Sequence, residues 1–417
     1  MHEEVETFHL RSVVCPRRRI DCQKIFDYLE ANGMTYTPEL SEADLVIVST
    51  CGYIRQAEDD SIKAVKYYMK NKPAHARLIV TGCLPAINKE QLKKIGDMMM
   101  ISPTSLRELD ELIQAKVGFD DIPDPHDIRD FPVSLPDRPL TERLSYAFEP
   151  NMRFVKKVLS KVTGTASGSG NKFVSKYNHP LLDRSQEGLY NLRIATGCLG
   201  QCSYCAIMSA TGSLKSKPLD QVVAEFTEGL SKGYKKFILI AGDTGCYGLD
   251  IGTDIVRLLE EILAIDGDYR LIINDFNAQW LVKYRDRLTP LLAGNKDKID
   301  HIILPVQSGS DRILSAMNRP YKIGDVKECL KSMREKVPGL VFTTHIMVGF
   351  PDETDEDFEE SLGFITEYGF PYVDVYCYED RPNTASSGLM DKVDAKIMRQ
   401  RADKILEAQK QNKSSRV

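Results

Sequence analysis

Ala195-Thr196-Gly197-Cys198-Leu199-Gly200-Gln201-Cys202-Ser203-Tyr204-Cys205 is the stretch on which the reading of this 417-residue chain turns. Three thiols stand at C-x3-C-x2-C spacing, directly after an apolar run that reads as a strand. Thiolates this close together in a loop can bind the irons of one cluster. A cubane holds four irons, so three cysteines leave one iron without a protein ligand. An open coordination position is what a metal site needs to bind a reactant. A zinc knuckle, or three unconnected buried thiols, is the competing reading of the same residues.

Outward from this stretch, strand and helix patterns alternate for nearly 190 residues from Gly188. Strands are expected at Tyr190–Ala195, Lys236–Ala241, Tyr269–Asn274, His301–Pro305, Val341–Met347 and Tyr372–Tyr376. Helices lie between them, for example at Leu219–Lys232, Asp250–Ala264 and Asp355–Tyr368. Six βα units suit an open, partial TIM-type barrel, whose chemistry gathers at the carboxyl ends of the strands. The cysteine stretch follows the first strand, where that rule puts it.

Other strand ends carry polar or glycine-rich residues. After the second strand comes Gly242-Asp243-Thr244-Gly245-Cys246-Tyr247-Gly248. Glycines let a ligand approach the backbone, and Asp243 and Thr244 can bond amino or hydroxyl groups. Cys246 reads as a thiol in the pocket wall. After the fourth strand comes the run His301 to Arg319, in which Pro305 is expected to end the strand. Gln307 and Ser308 there offer donors and acceptors, and Ser310 is placed to cap the next helix. His345 reads as a packed, hydrogen-bonded barrel residue.

The N-terminal third also alternates strand and helix. Phe8–Val14, Ala43–Ser49 and Arg77–Thr81 read as strands, and Ile20–Ala31, Ile54–Met69 and Lys89–Ile95 as helices. Repeated βα units give a small parallel sheet covered by helices. A cysteine follows each strand: Cys15, Cys51 and Cys83. In open parallel sheets the strands' carboxyl ends share one edge, where ligands bind. These three cysteines are therefore expected to converge on a second cluster, again with one iron left open. Three buried structural cysteines is the alternative.

The bulk numbers agree with an enzyme. The chain is 42% hydrophobic and 28% charged, with a formal net charge of −5. That balance argues against a protein held to nucleic acid mainly through phosphates, and DNA is not expected as a partner. No run approaches a membrane span, and the acidic start (Met1 to Glu6) does not read as a signal peptide. Ten cysteines are too few for a disulfide scaffold, so a reducing, cytoplasmic compartment is expected. Six of the ten form the two sets; the others are Cys22, Cys246, Cys329 and Cys377.

The cysteine stretch resembles the signature of radical S-adenosylmethionine (SAM) enzymes, and the chain as a whole resembles their methylthiotransferase family. The N-terminal matches are Ala43 to Cys51 and Ile79 to Cys83. The longest match is His301 to Arg319, followed by Thr343 to Thr354, which has Asp352 where the family usually has Gly. Lys215-Ser216-Lys217-Pro218 and Tyr378 to Ala385 also correspond, the latter with Asn383 in place of a usual Gly. The first cysteine segment departs from the pattern. Arg18 and Cys22 stand where the family usually has Asn and Ser, while Asp21 is kept. Cys22 reads as a helix-buried thiol, with an alternative ligand or a sulfur relay as the other readings. Arg17-Arg18-Arg19 reads as a solvated helix start, with contact to an anionic substrate as the other reading.

The resemblance implies two [4Fe–4S] clusters and SAM as cofactors. Cys198, Cys202 and Cys205 would hold the cluster that reduces SAM to methionine and a 5′-deoxyadenosyl radical. Cys15, Cys51 and Cys83 would hold an auxiliary cluster carrying the sulfur. Tyr204, Lys215, Gly242, Asp243, Thr244, Gln307 and Ser308 are the expected SAM contacts. The product would be a methylthio group on an unactivated C–H carbon, with a flavodoxin or ferredoxin as reductant. The alternatives are sulfur insertion or peptide or natural-product maturation without methylthio transfer, and a non-enzymatic electron-transfer or RNA-binding protein.

The expected architecture is α/β: a small parallel-sheet N-terminal domain (1–118), a linker or insertion (119–187), a partial (β/α)6 TIM-type radical SAM barrel (188–378), and a C-terminal loop and helix (379–417). The Gly242 to Gly248 segment is more like the ribosomal-protein methylthiotransferases than the tRNA ones. The match covers roughly 8–118 and 188–412 and does not include the small β-barrel through which family members contact substrate. A protein, peptide or small-molecule substrate is therefore expected rather than RNA.

Overall fold

The computed structural model describes residues 6–13, 15–128 and 188–414. Residues 129–187 of the expected linker or insertion lie outside them. The described residues fall into two compact units, one up to Pro123 together with Ile128 and one formed by Asp124–Asp127 with 188–414.

In the first unit, strands β1 (Thr7–Ser12), β2 (Thr35–Tyr36), β3 (Leu45–Thr50), β4 (Arg77–Gly82) and β5 (Met99–Met100) form a parallel sheet ordered β2-β1-β3-β4-β5. Every residue of the central β3 is buried, which explains its unbroken apolar run. Successive side chains leave a strand on opposite faces. Leu45 and Ile47 thus pack with Phe26 and Leu29 of the helix Pro16–Ala31. Val46 and Val48 pack with Ala64, Val65 and Tyr68 of the helix Arg55–Asn71. Each such buried side chain contributes roughly 1.5–3 kcal/mol.

The sequence reading differs in detail. The first helix begins at Pro16 rather than Ile20, because proline is preorganised for the first helical position. It ends at Asn32-Gly33, and Gly33 takes φ +88°. The edge strands β2 and β5 are two residues each, too short to show a period. The boundary expected at 118 also moves. Phe119 and Ile122 are buried in the first core, so the linker reading of 119–123 is incorrect.

The second unit contains β6 (Leu189–Arg193), β7 (Ala195–Thr196), β8 (Lys215–Ser216), β9 (Lys236–Ile240), β10 (Arg270–Ile273), β11 (Ile299–Gln307), β12 (Val341–Val348) and β13 (Val373–Cys377). Six of these form one parallel sheet in the sequential order β6-β9-β10-β11-β12-β13. Strands β6 and β13 are its two edges, so the barrel is open. The pair β7 and β8 is a short antiparallel ribbon beside the cysteine stretch. Residues 124–127 belong to this unit: His126 and Asn191 exchange hydrogen bonds, Asn191 N–H donating to the His126 carbonyl at 3.1 Å. The final helix, Ala395–Ser414, packs on the helix Asp355–Tyr368 and on β13. Buried Arg401 of that helix pairs with Glu353 at 2.6 Å.

Two expectations in the barrel are corrected. Strand β11 does not stop at Pro305 but runs to Gln307. Leu304 pairs with Thr344 and Gln307 with Ile346, so three steps on β11 face two on β12. This is a bulge, where the absent proline N–H costs the ladder nothing. The helix expected from Asp250 begins at Ile255, because the Asp254 carboxylate accepts the Arg257 N–H at 2.9 Å and caps it. Among the described residues no helix is long and apolar enough to cross a membrane.

Candidate cluster and cofactor sites

The cysteine stretch is held by backbone contacts that admit only glycine. Gly197 has φ +73°, and a Cβ there would stand 1.9 Å from the Ser213 carbonyl oxygen. A Cβ on Gly242, just past β9, would meet the Gly197 carbonyl oxygen at 2.2 Å. Two loops therefore cross in direct backbone contact at the carboxyl ends of β6 and β9. Beyond this crossing the loop is tied to the turn at 316–319. The Ser203 N–H donates to the Met317 carbonyl at 3.0 Å, its hydroxyl to Ala316 at 2.8 Å, and Asn318 Nδ2 to the Gln201 carbonyl at 2.7 Å. Arg319 completes the anchor: its Nη2 donates to the Tyr204 hydroxyl at 2.6 Å, with the guanidinium 5.9 Å from the ring centre.

Cys198, Cys202 and Cys205 are each partly exposed. Their surroundings fit a thiolate cluster. A Cβ on Gly200 would lie 3.3 Å from Cys198 Sγ and 3.8 Å from Cys202 Sγ, so both sulfurs flank one bare backbone position. The Gly200 N–H donates to Cys198 Sγ at 3.1 Å. Burial pushes the Cys205 thiol up, the neighbouring Cys202 and Cys198 push it further, and the N–H groups of Ile207 and Met208 oppose this. Closely spaced sulfurs with inward amide donors are what an iron cluster would take up. Among the described residues no three or more His, Cys, Asp or Glu side chains converge as a single ion demands. Cluster thiolates bind separate irons, so they need a wider spacing than the ligands of one ion.

The expected SAM contacts divide by what already occupies them. Asp243 is buried, and its carboxylate accepts the N–H of Gly245 (3.0 Å), the N–H of Asn277 (3.2 Å) and the indole N–H of Trp280 (2.7 Å). Burial nonetheless outweighs these donors and pushes its pKa up to about 6. The Thr244 hydroxyl donates to the Asn274 carbonyl at 2.7 Å. Lys215 is exposed, paired across the ribbon with Thr196, while Lys217 is held by Glu225 and Asp124. Gln307 is different. It stands at φ +75°, buried, and its Oε1 has no hydrogen-bond partner. A buried orphan acceptor at a bulged strand end marks a place for a donor ligand.

The loop after Gln307 is pinned to the helix Asp355–Tyr368. Gly309 N–H donates to Ser361 Oγ at 2.8 Å, and the Ser308 hydroxyl lies 3.2 Å from the same oxygen. Ser310 takes the N-cap position but makes no side-chain cap. Its hydroxyl donates instead to Asp357 at 2.6 Å, which corrects the expected capping role. Burial pushes the Asp357 carboxyl up, but Arg312, Ser310 and Thr354 together hold it well below the ordinary 3.8. A depressed folded-state pKa gives stability that is present above the unfolded value and lost as pH falls. Asp357→Asn should cost about 1.5–3 kcal/mol at neutral pH. Urea unfolding below about pH 4 should show the gap to wild type narrowing.

Cys22, Cys246 and His345 are packed as the sequence reading expects, and Cys329, which had no assigned role, is placed as well. Cys22 is fully buried in the first core; burial pushes its thiol up to about 11. Cys246 is fully buried and donates to the Asp243 carbonyl at 3.1 Å. Cys329 is buried as well. His345 Nε2 lies 3.3 Å from Asp374 on the neighbouring strand, a packed barrel position. Arg319 and Trp280 had no assigned role; the Met317-Asn318-Arg319 turn was the signal for the first, and nothing in sequence ties Trp280 to Asp243.

In the first unit the strand ends carry Cys15, Cys51 and Cys83 to one edge. Thr50 and Gly82 are paired across β3 and β4, and Cys51 and Cys83 follow them directly. Gly82 takes φ +87°, where a Cβ would stand 2.2 Å from the Thr50 carbonyl oxygen. The Cys83 N–H donates to that carbonyl at 2.9 Å. Cys51 is tied by its N–H to Ser61 Oγ at 2.9 Å. Strand β1 ends at Ser12, so Cys15 stands three residues beyond it, at the head of the first helix. Burial pushes the Cys83 thiol up; Arg18 pulls it down and Cys15 pushes it up. Arg18 is not a solvated helix residue as expected: its side chain is 11% exposed and pairs with Asp21 at 2.6 Å.

An open parallel barrel with a C-x3-C-x2-C loop after its first strand defines a radical SAM enzyme. Residues 192–365 match the model of the radical SAM superfamily, and 7–102 that of the uncharacterized protein family UPF0004. The ribosomal protein uS12 methylthiotransferase RimO of Geotalea uraniireducens is 31% identical over 97% of this chain and 82% of its own length. The threonylcarbamoyladenosine tRNA methylthiotransferase MtaB of Thermotoga maritima is 26% identical over 97% and 82%. The solved radical SAM methyltransferase TsrM of Kitasatospora setae shares the fold, with a TM-score of 0.59 at 15% identity over 92% of this chain and 77% of that one. The chain belongs to the methylthiotransferase family of radical SAM enzymes. It is a radical SAM transferase whose family uses SAM and a [4Fe–4S] cluster, which sets aside the non-enzymatic alternative.

Proposed function

We propose that the protein attaches a methylthio group to an unactivated C–H carbon of a polypeptide substrate. The observation that supports this most is the second cysteine set: Cys15, Cys51 and Cys83 at neighbouring strand ends, in addition to the barrel set. Cys198, Cys202 and Cys205 would hold the SAM-binding [4Fe–4S] cluster, and Cys15, Cys51 and Cys83 a second one. When bound, the clusters and SAM supply the radical and sulfur chemistry, and the protein positions them. The glycines at 197 and 242 bring backbone against backbone beside Cys198. Gln307 Oε1, without a partner, would accept from the SAM amino group. Asp243, with its oxygens already engaged, would shape the wall through Trp280 and the loop it braces. Lys215 and Tyr204 would flank the cysteines, the latter fixed by Arg319.

A polypeptide is favoured because the 31% identical relative acts, by its name, on a ribosomal protein. The tRNA relatives keep RNA as an outcome of the test. A flavodoxin or ferredoxin would supply electrons, in the reducing, cytoplasmic setting that thiol ligands require.

Sulfur insertion without methylation is the second reading, favoured by the departures at Arg18 and Cys22. One assay separates them. With SAM, dithionite and candidate ribosomal proteins or tRNA, both S-adenosylhomocysteine and 5′-deoxyadenosine should form. Mass spectrometry should find one SCH3 group in place of one hydrogen on a peptide. Turnover with homocysteine product absent would replace the methylthio reading, and the same group on a nucleoside would replace the polypeptide one.

A further inference from the structure

We propose that Arg319 is a positioning residue that couples the cysteine loop to its cluster: a buried cation that the chain leaves without a carboxylate and that the cluster would balance. The inference rests on the reading of Cys198, Cys202 and Cys205 as ligands. Arg319 is 9% exposed. A guanidinium offers five N–H donors. The structure gives this one a single side-chain acceptor, the Tyr204 hydroxyl at 2.6 Å, and its buried Nε has no partner. Among the described residues no carboxylate pairs with it. Arg401, also buried, shows the contrast: it holds Glu353 at 2.6 Å and Asp355 at 2.8 Å. Asp243 feels the Arg319 charge from the end of β9, but its oxygens are taken by Gly245, Asn277 and Trp280.

Hydrogen bonds place this charge against the cysteine loop. The Ser203 N–H donates to the Met317 carbonyl at 3.0 Å and Asn318 Nδ2 to the Gln201 carbonyl at 2.7 Å, so 316–319 run along 201–204. Tyr204, the acceptor, stands between Cys202 and Cys205 in the chain, and its ring packs with Met317, Phe350 and Tyr378. Taking a guanidinium out of water is strongly unfavourable unless it is paired. The Tyr204 ring, 5.9 Å from it, offers only a weak cation–π contact. A [4Fe–4S] core held by three thiolates is net negative. Iron loading therefore supplies the counter-charge that Arg319 lacks, and Arg319 in turn favours the loaded form. A group that binds only the folded state stabilises it, and by the same linkage Arg319 enlarges that gain. Its cost falls on the iron-free protein, where an apolar side chain of similar volume is tolerated as well or better.

The test uses the full chain with Cys15, Cys51 and Cys83 all changed to Ala, so that only the barrel set can load. This parent, Arg319→Lys and Arg319→Met are reconstituted anaerobically without SAM, and about four irons should load in the parent. Circular dichroism then gives the thermal midpoint of iron-loaded and iron-free forms, and a chelator assay gives the rate of iron release. The rise in midpoint on loading should shrink in Arg319→Met, and its iron release should be at least about tenfold faster. Arg319→Lys should restore most of both, because charge carries the effect. The Tyr204 hydrogen bond is lost from both forms alike, so it cancels in the rise. An unchanged rise and release in Arg319→Met would overturn the proposal while leaving the cluster reading intact. Equal losses in both variants would assign the effect to shape and also overturn it. So would an Arg319→Met chain that does not fold without iron, since the charge is costly in that form. An effect that appears only once SAM is added would give the guanidinium to the SAM carboxylate and overturn it as well. Failure of the parent to load iron would overturn the cluster reading itself.

Discussion

Cys198→Ala should abolish SAM cleavage while leaving the rest of the molecule folded. Reconstituted wild-type protein should carry about eight irons, and the variant about four, because one of two cubanes is lost. The argument is local. Cys198 is partly exposed and its fold-making neighbours are the glycines at 197 and 242, whose nearest contacts are with backbone. Removing one sulfur therefore leaves the loop crossing in place and takes away a ligand. Two remaining thiolates cannot hold three irons. 5′-Deoxyadenosine formation should fall below detection, since no other group in the barrel supplies the electron. Cys246 makes the control informative: it is buried beside Cys198, within the same pocket wall. If it substitutes as a ligand, Cys198→Ala will keep part of its iron, and the Cys198→Ala, Cys246→Ala double variant will lose it. Cys246→Ala alone should retain SAM cleavage. Full SAM cleavage by the double variant would refute the assignment of Cys198.

Cys51→Ala should separate the two halves of the chemistry. Iron should again drop to about four, yet 5′-deoxyadenosine should still form, because Cys198, Cys202 and Cys205 are untouched. Methylthio transfer should be lost entirely, with 5′-deoxyadenosine released without modified substrate. Cys15→Ala and Cys83→Ala should match it, and the triple variant should be no worse, since residues that act as a unit are not additive. Cys51 and Cys83 are buried, so these changes also remove packing; far-ultraviolet circular dichroism distinguishes a misfolded first unit from an empty one. Continued substrate modification by folded Cys51→Ala would sink the auxiliary site.

Much of this was legible in the chain because the signals are local. The βα alternation places the six barrel strands within a few residues, since each is an apolar run of sufficient length. The cysteine triplet needs no structure, because its three thiols lie within eight residues. What failed was also local in cause. Pro305 reads as a stop, but a bulge on β11 absorbs it. Ser310 reads as a cap, but Asp357, 47 residues away, takes its hydroxyl. Arg18 reads as surface because it stands in a run of three arginines, and only its pairing with Asp21 shows the burial.

The sequence by itself determined the class of chemistry. Cysteine spacing and periodicity are properties of neighbouring residues, and so is the family resemblance that rests on them. Tertiary structure decided which groups are free to act. Asp243 and Thr244 are already spent on Trp280, backbone amides and Asn274, whereas Gln307 keeps an acceptor unused. It also decided that Arg18 is buried in an ion pair with Asp21. Those facts depend on contacts across tens of residues, where burial and long-range hydrogen bonds set a side chain's availability, and no local pattern encodes them.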